Sequence, residues 1–267
     1  MMTNEKLSTS EQSLAKTLFK AYSTGKALDM AEYADVVTDD ASAYRVQDYL
    51  TELKDEKIGG YKVSLTSKET QDLFDADAPL YGAQIDSHVV QGPHTFDNAK
   101  LMEPLAEVEL VFKAKEELSR TDSLEELLNK TLVAPAIEVP DSRFSDWFPA
   151  LPKHLVMADA AVGGYIVYGT EKEASSVFSS VDQVANVHCQ LFQDDVLLKD
   201  GVATEVLGNP LNSLHWLTEK LATQGRVIEA GQRVSSGTFL LPEKLTAGKW
   251  QAVFDNGLGE VNLSVVK

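Results

Sequence analysis

Two glutamates spaced two apart, Glu107 and Glu109, stand in the run Ala106-Glu107-Val108-Glu109-Leu110-Val111-Phe112. In a β-strand, residues two apart share a face, so both carboxylates point the same way. Their face also carries Leu105 and Val111, while Ala106, Val108, Leu110 and Phe112 line the other. A strand apolar on both faces reads as buried, and two buried carboxylates are costly unless something neutralises them. A divalent cation would do so. Taken alone, the spacing fits an edge strand with two solvated glutamates more readily. A second signal shifts the balance: Glu138 stands inside the apolar run Val133-Ala134-Pro135-Ala136-Ile137-Glu138-Val139, followed closely by Asp141 and Arg143. Three carboxylates with no His or Cys nearby make an all-oxygen set, which suits Mg²⁺ or Mn²⁺ rather than Zn²⁺.

Lys62 is the second candidate. It sits in the middle of Gly-Tyr-Lys-Val-Ser-Leu, where strand periodicity places it on a face with Gly60 and Ser64. A lysine on a face of small residues beside an acidic site can hold a substrate carboxylate or move a proton. An exposed lysine on a half-buried strand fits the same pattern equally well. The five histidines (His88, His94, His154, His188, His215) lack metal-binding spacing. His188 and Cys189 would fall on opposite faces of a strand, so they do not read as a nucleophile and its base. No nucleophile elbow, P-loop or dinucleotide-binding glycine motif is present, which disfavours covalent hydrolysis and nucleotide chemistry.

The elements that must position these residues are legible in outline. The first 57 or so residues read as helical. Ser8 to Glu11 has capping-box spacing, Leu14, Leu18 and Tyr22 recur on one face, and Gly25 is a stop. A second helix is expected over 40–54, with Val46, Leu50 and Leu53 on one face. From Gly59 the texture changes to short strands: 59–65, then 105–114 and 131–139, with a helix around Leu124, Leu127 and Leu128 between the last two. Thr66 and Glu69 have capping-box spacing for a short helix after the first strand. Residues 187–201 read as a hairpin with Asp194-Asp195 at its tip. Asn209-Pro210 opens a helix whose Leu211, Leu214, Leu217 and Leu221 share a face and which Gly225 ends. The expected fold is α+β: a helical N-terminal arm over about 1–57 and a mainly β core over about 58–267, in one domain without a linker.

Composition limits the partners. The 267 residues are 43% hydrophobic, enough to bury a core without disulfides, and the single Cys189 fits a reducing compartment. No signal-like segment or membrane-length apolar run is present, so the cytoplasm is expected. With 24 Lys+Arg against 41 Asp+Glu, the net charge of −17 argues against nucleic acid and anionic membranes as partners. An anionic substrate would then need a local positive site.

At these residues the chain resembles a known family, the 2-keto-4-pentenoate hydratase and oxalocrotonate decarboxylase branch of the fumarylacetoacetate hydrolase superfamily. GYKVSLTSKETQ (60–71) resembles the family's GxKIGLTSKxxQ, and EPLAEVELVF (103–112) its E-x-E ligand segment. APAIEVPDSRFSDW (134–147) resembles the segment carrying its third ligand. LGNPLNSLHWLTEKLATQG (207–225) and EAGQRVSSG (229–237) resemble its late helix and the strand after it. The resemblance spans nearly the whole chain. It implies mixed β-sheets rolled around the active site, Mg²⁺ or Mn²⁺ on Glu107, Glu109 and Glu138, and Lys62 beside a small carboxylic acid substrate in a homo-oligomer. The implied pocket includes Ser64, Leu80, Tyr81 and Ser236.

There are departures. Ser64 replaces a glycine of the family, Leu80 stands where a carboxylate is common, and Ala160 and Val162 replace an amide and a hydroxyl. Asp77 is the nearest acidic candidate, with Asp86, for the work of the missing carboxylate. The reaction implied is addition of water to a 2-hydroxy-dienoic (2-oxo-enoic) acid. Decarboxylation of a related oxo-diacid and a catalytically weakened metal- and acid-binding protein are the alternatives.

Overall fold

A computed structural model describes residues 6–267. Ser8 caps the first helix, α1 (Thr9–Thr24): its hydroxyl accepts from the Glu11 N–H, and Glu11 reaches back to the Ser8 N–H. Gly25 ends it in the left-handed conformation (φ 64°). α2 (Asp40–Leu53) is capped by Asp39 and packs on α1. Leu14, Ala15 and Leu18 of α1 and Tyr44, Val46 and Leu50 of α2 are buried, so the expected apolar faces are the ones that meet.

The remaining elements follow in the order β1 (Ile58–Ser64), α3 (Lys68–Leu73), β2 (Leu80–Ile85), β3 (Val89–Gln91), β4 (His94–Asp97), β5 (Leu105–Ala114), α4 (Leu124–Asn129), β6 (Thr131–Val139), α5 (Lys153–Ala158) and β7 (Tyr165–Tyr168). After these come β8 (Lys172–Glu173), α6 (Ala174–Val177), α7 (Val181–Ala185), β9 (His188–Gln193), β10 (Val196–Val202), α8 (Pro210–Thr223), β11 (Arg233–Ser235), β12 (Glu243–Lys244), β13 (Gly248–Phe254) and β14 (Gly259–Val266). β5 and β6 span the residues expected of them. The short helices α5, α6 and α7 were not anticipated; at six, four and five residues they are too brief to show a helical period.

A mixed sheet runs β2-β1-β11-β5-β6-β7-β3, with β12 joining β5 and β8 joining β6. A second sheet, β10-β9-β13-β14-β4, lays β13 and β14 against β6. The two enclose a continuous apolar cluster that extends from Leu14 of α1 to Val265 of β14. Asp194 and Asp195 both adopt positive φ (49° and 65°), which gives the β9–β10 hairpin the twist of a primed turn. Asn209 caps α8 by accepting from the Leu211 N–H at 2.9 Å.

One cap differs from expectation. Ser67 with Thr70, rather than Thr66 with Glu69, caps α3. Leu65 turns through φ 58°, which swings Thr66 inward to a buried position. Among the described residues, no helix is long and apolar enough to cross a membrane.

Candidate active site

The antiparallel pairing of β5 and β6 sets the site. Its register places Glu107 directly opposite Glu138 and Glu109 opposite Ala136, so the three carboxylates share one face of the sheet. Among the described residues they form the one group of potential metal ligands whose atoms converge, all within 4.8 Å. Glu109 and Glu138 are 1% exposed, whereas the Glu107 side chain keeps 15% open towards a pocket. β11 lies between β5 and β1 and pairs Ser235 with Lys62, which brings Lys62 to the same face. Its ammonium is buried, forms an ion pair with Glu138 Oε1 and lies 3.9 Å from Glu107 Oε2. The exposed-lysine alternative is thus excluded.

Three carboxylates against one ammonium leave an excess of buried negative charge. Glu109 Oε2 accepts from the Ser235 hydroxyl at 2.6 Å and from the Gly237 N–H at 2.7 Å. Glu109 Oε1 and Glu138 Oε2, by contrast, are buried with no hydrogen-bond donor. Burial first, then the Glu138 and Glu107 charges, hold the Glu109 carboxyl well above the usual range. Burial also lifts the Glu107 carboxyl to about 7, against the pull of Lys62 and with Glu138 adding to the rise. At Lys62 burial acts downward, but Glu138 and Glu107 outweigh it and keep the ammonium above its usual value. Hard, unpartnered oxygens on converging carboxylates fit a Mg²⁺- or Mn²⁺-sized ion by donor chemistry.

Gly237 has φ 115°, and a Cβ there would come within 2.3 Å of Thr66 Oγ1. Only glycine lets its N–H reach Glu109 beside Thr66. The small pocket over the cluster is walled by the hydroxyl residues Ser64, Thr66, Thr70 and Thr238 and by the aromatic rings of Phe74, Trp147 and Phe148. It leaves about 40 Å³, room for on the order of three waters. Thr70 and Thr238 also border a larger vestibule of about 460 Å³.

Other predicted residues fall elsewhere. Asp77 is exposed in the loop before β2 and is not on the pocket wall, because the chain turns outward at Asp75 (φ 50°). Leu80 is 2% exposed and pairs with Ser64, but it lies outside the wall. Tyr81 points away from the cluster: its ring stacks on Tyr44 at 4.6 Å, and its hydroxyl donates to Gln224. Ser236 is fully buried with an unpartnered hydroxyl, and its neighbour Ser235 makes the contact with the cluster. Sequence reasoning missed Ser235, Gly237 and the aromatic wall. The register of β11 against β1, which no spacing in the sequence gives, selects Ser235 over Ser236.

Asp141 and Arg143 support the site from behind. Asp141 accepts the N–H groups of Met102 and Glu103 at 2.9 and 2.8 Å. Arg143 donates to Asp159 Oδ1 at 2.5 Å and to the Gly163 carbonyl. Asp159 in turn precedes three non-glycine residues at positive φ, Ala160, Ala161 and Val162 (54°, 55° and 50°). A β-branched residue there is strained, so the surrounding bonds must hold it. Val162 presents its side chain to the pocket.

No family model matches the chain. The 2-keto-4-pentenoate hydratase of Burkholderia vietnamiensis is 28% identical over 254 residues, covering 93% of this chain and 95% of that protein. The fold is that of 4-oxalocrotonate decarboxylase from Pseudomonas putida, solved with magnesium and adipate: TM-score 0.88, 24% identity, 98% of this chain and 100% of that one. Fumarylpyruvate hydrolase from Pseudomonas aeruginosa, solved with Mn²⁺ and pyruvate, matches with TM-score 0.60 and 15% identity over 77% of this chain and 88% of its own. Along nearly its whole length the chain is similar in sequence to 2-keto-4-pentenoate hydratases, and its fold is that of 4-oxalocrotonate decarboxylase and, more distantly, of fumarylpyruvate hydrolase.

Proposed function

We propose that this protein is a divalent-metal-dependent hydro-lyase that adds water to short 2-hydroxy-dienoic (2-oxo-enoic) acids to give 4-hydroxy-2-oxo acids. The observation that carries the reading is the convergence of Glu107, Glu109 and Glu138 within 4.8 Å beside the buried Lys62. Those three carboxylates would hold a Mg²⁺ or Mn²⁺ ion, which when bound supplies Lewis-acid stabilisation of negative charge on the acid's C2 oxygen.

The chain's own groups account for the rest. Lys62, kept protonated by its carboxylate neighbours, offers the substrate carboxylate a positive partner inside an acidic protein. Ser235 and the Gly237 N–H fix the orientation of Glu109. Phe74, Trp147 and Phe148 restrict access of bulk water to the reacting carbons. In the reaction the C2 enol proton leaves, the far end of the diene gains a proton, and the double bond so formed between C3 and C4 takes hydroxyl at C4 and hydrogen at C3. Thr70 and Thr238 already donate their hydroxyls to the carbonyls of Ser67 and Leu240, so Ser64 and Thr66 are the pocket hydroxyls that would hold the incoming water.

The proposal includes a cytoplasmic protein that folds as one unit and self-associates. In support, α1 and α2 share one apolar cluster with the β core, and apolar residues are exposed along β10. The test is to load the protein with Mg²⁺ or Mn²⁺ and follow the dienol absorbance of 2-hydroxypenta-2,4-dienoate together with CO₂. Loss of absorbance without CO₂ is expected. CO₂ release from an oxo-diacid in place of hydration would overturn the reaction assigned.

A further inference from the structure

Lys62, Glu107 and Glu109 bring all of the charge on the wall of the small pocket, and Lys62 is its one cation. Much of the rest is carbon: Val156, Val162, Phe74, Trp147, Phe148 and Pro242. The pocket opens past Phe148, which is 37% exposed, and the half-buried Pro242. Trp147 is fixed beside this opening, since it is buried and its indole N–H donates to the Glu103 carbonyl at 2.9 Å. Phe148 stands edge-on to it, 5.6 Å between ring centroids, and 6.1 Å from Phe74. Three rings therefore form one apolar edge where the pocket meets solvent.

Val162 extends that wall at a cost. It holds φ 50° in a run of three left-handed residues, a conformation that asparagine or glycine adopts far more readily than a β-branched residue. Its carbonyl accepts from the Asp141 N–H at 3.1 Å, a bond that needs no isopropyl group. What valine adds is carbon facing the pocket. The lysines on the neighbouring α3, α5 and β10, Lys68, Lys153 and Lys199, are each paired with a carboxylate, Asp72, Asp40 and Glu243. A second carboxylate on the substrate would thus leave water for a carbon wall whose one cation is already engaged at the acid end.

We infer that Phe74, Phe148 and Val162 grip the distal end of the substrate, and that the site takes 2-hydroxy-dienoic acids carrying an uncharged alkyl or aryl group at C5 in preference to dioates and to the unsubstituted acid. This rests on the assignment of a 2-oxo acid to the site, with its acid end at Lys62 and the carboxylate cluster. With about 40 Å³ over the cluster, the group at C5 lies at the opening against the rings. A fully buried methylene is worth about fourfold in affinity, so three of them at a half-open mouth should give at least about tenfold.

Calorimetric titration of the Mg²⁺-loaded protein with the unreactive 2-oxopentanoate, 2-oxooctanoate and 2-oxooctanedioate reads the tail without turnover. 2-Oxooctanoate should bind at least about tenfold more tightly than either of the others. Phe148→Ala, at an exposed ring, and Val162→Asn, which the left-handed backbone accepts, should each cut that preference to about threefold or less. Equal affinities for the two monoacids, tightest binding by the dioate, or an unchanged preference in both variants would overturn the inference. In turnover, kcat/KM for 2-hydroxyocta-2,4-dienoate should exceed that for 2-hydroxypenta-2,4-dienoate by about tenfold, and this ratio should fall in both variants. If neither dienol is consumed while the binding preference holds, the hydratase reading fails and the tail subsite stands. If both dienols are hydrated alike and the 2-oxo acids bind alike, the hydratase reading stands and the tail subsite is removed.

Discussion

Glu109 has one oxygen held by Ser235 and Gly237 and the other facing the cluster without a donor, so glutamine there preserves shape while removing a charge. An ion that binds only the folded protein stabilises it, by about 2.7 kcal/mol at a hundred times Kd. Wild type should therefore melt at a higher temperature with Mg²⁺ or Mn²⁺, and Glu109→Gln should not. An equal rise in both would show that the ion binds elsewhere. Lys62→Met tests the other half of the site. It should lower kcat/KM by roughly 10²–10³-fold, the order expected when one partner of a buried charge pair is truncated, while the metal-dependent rise in melting temperature survives.

The raised carboxyls of Glu107 and Glu109 also set a pH dependence. Without metal the folded state keeps protons that the unfolded chain releases near the ordinary 4.5. Their contribution to stability is thus fully present below about 4.5 and lost as pH rises through about 7 at Glu107. Melting temperature of the metal-free protein, measured from pH 5 to 8, should fall across this window. Added Mg²⁺ should restore it at pH 8 and have little effect at pH 5, where protons compete for the same oxygens.

At the scale of elements, Gln47 ties α2 to the sheet. Its amide donates to the carbonyls of Tyr81 and Met157 at 3.1 and 2.8 Å and accepts from the Ala83 N–H at 2.9 Å, all buried. Gln47→Leu leaves three buried backbone groups unpaired and should reduce unfolding stability by about 3 kcal/mol in a urea titration, given about 1–3 for each such group. A loss below about 1 kcal/mol would mean that other partners take over. The elements with strong periodic or capping signals, α1, β5, β6 and α8, are those that could be read from the chain. The acidic cluster was legible for the same reason, because strand parity alone aligns Glu107 with Glu109. What could not be read depended on tertiary context. The shift of the α3 cap from Thr66 to Ser67 follows from a left-handed Leu65, and the outward turn that removes Asp77 from the site follows from Asp75; leucine rarely adopts such a backbone, and aspartate, though enriched there, adopts it at only a few of its positions. Tyr81 faces α2 because β2 pairs Leu80 with Ser64 and Gly82 with Lys62, which puts Tyr81 on the opposite face, and a slip of one position would reverse every side chain on the strand.

For the molecule as a whole, β10 forms the edge of the second sheet, and Val196, Leu197 and Leu198 there are 62, 47 and 38% exposed. An open apolar edge of this kind is unusual unless another chain covers it. Sedimentation should show an oligomer, and Val196→Lys/Leu198→Lys should shift it towards the monomer; an unchanged distribution would exclude this edge as the contact. The vestibule beside the site has a consequence for encounter. A net charge of −17, with Glu69, Asp200 and Glu205 exposed on the vestibule wall, repels an incoming acid long before it reaches Lys62. Added salt screens that repulsion over a Debye length of about 8 Å at physiological ionic strength. The bimolecular rate for even a monoacid substrate should therefore climb with ionic strength, the reverse of an electrostatically steered enzyme, while the acidic product is hastened outward.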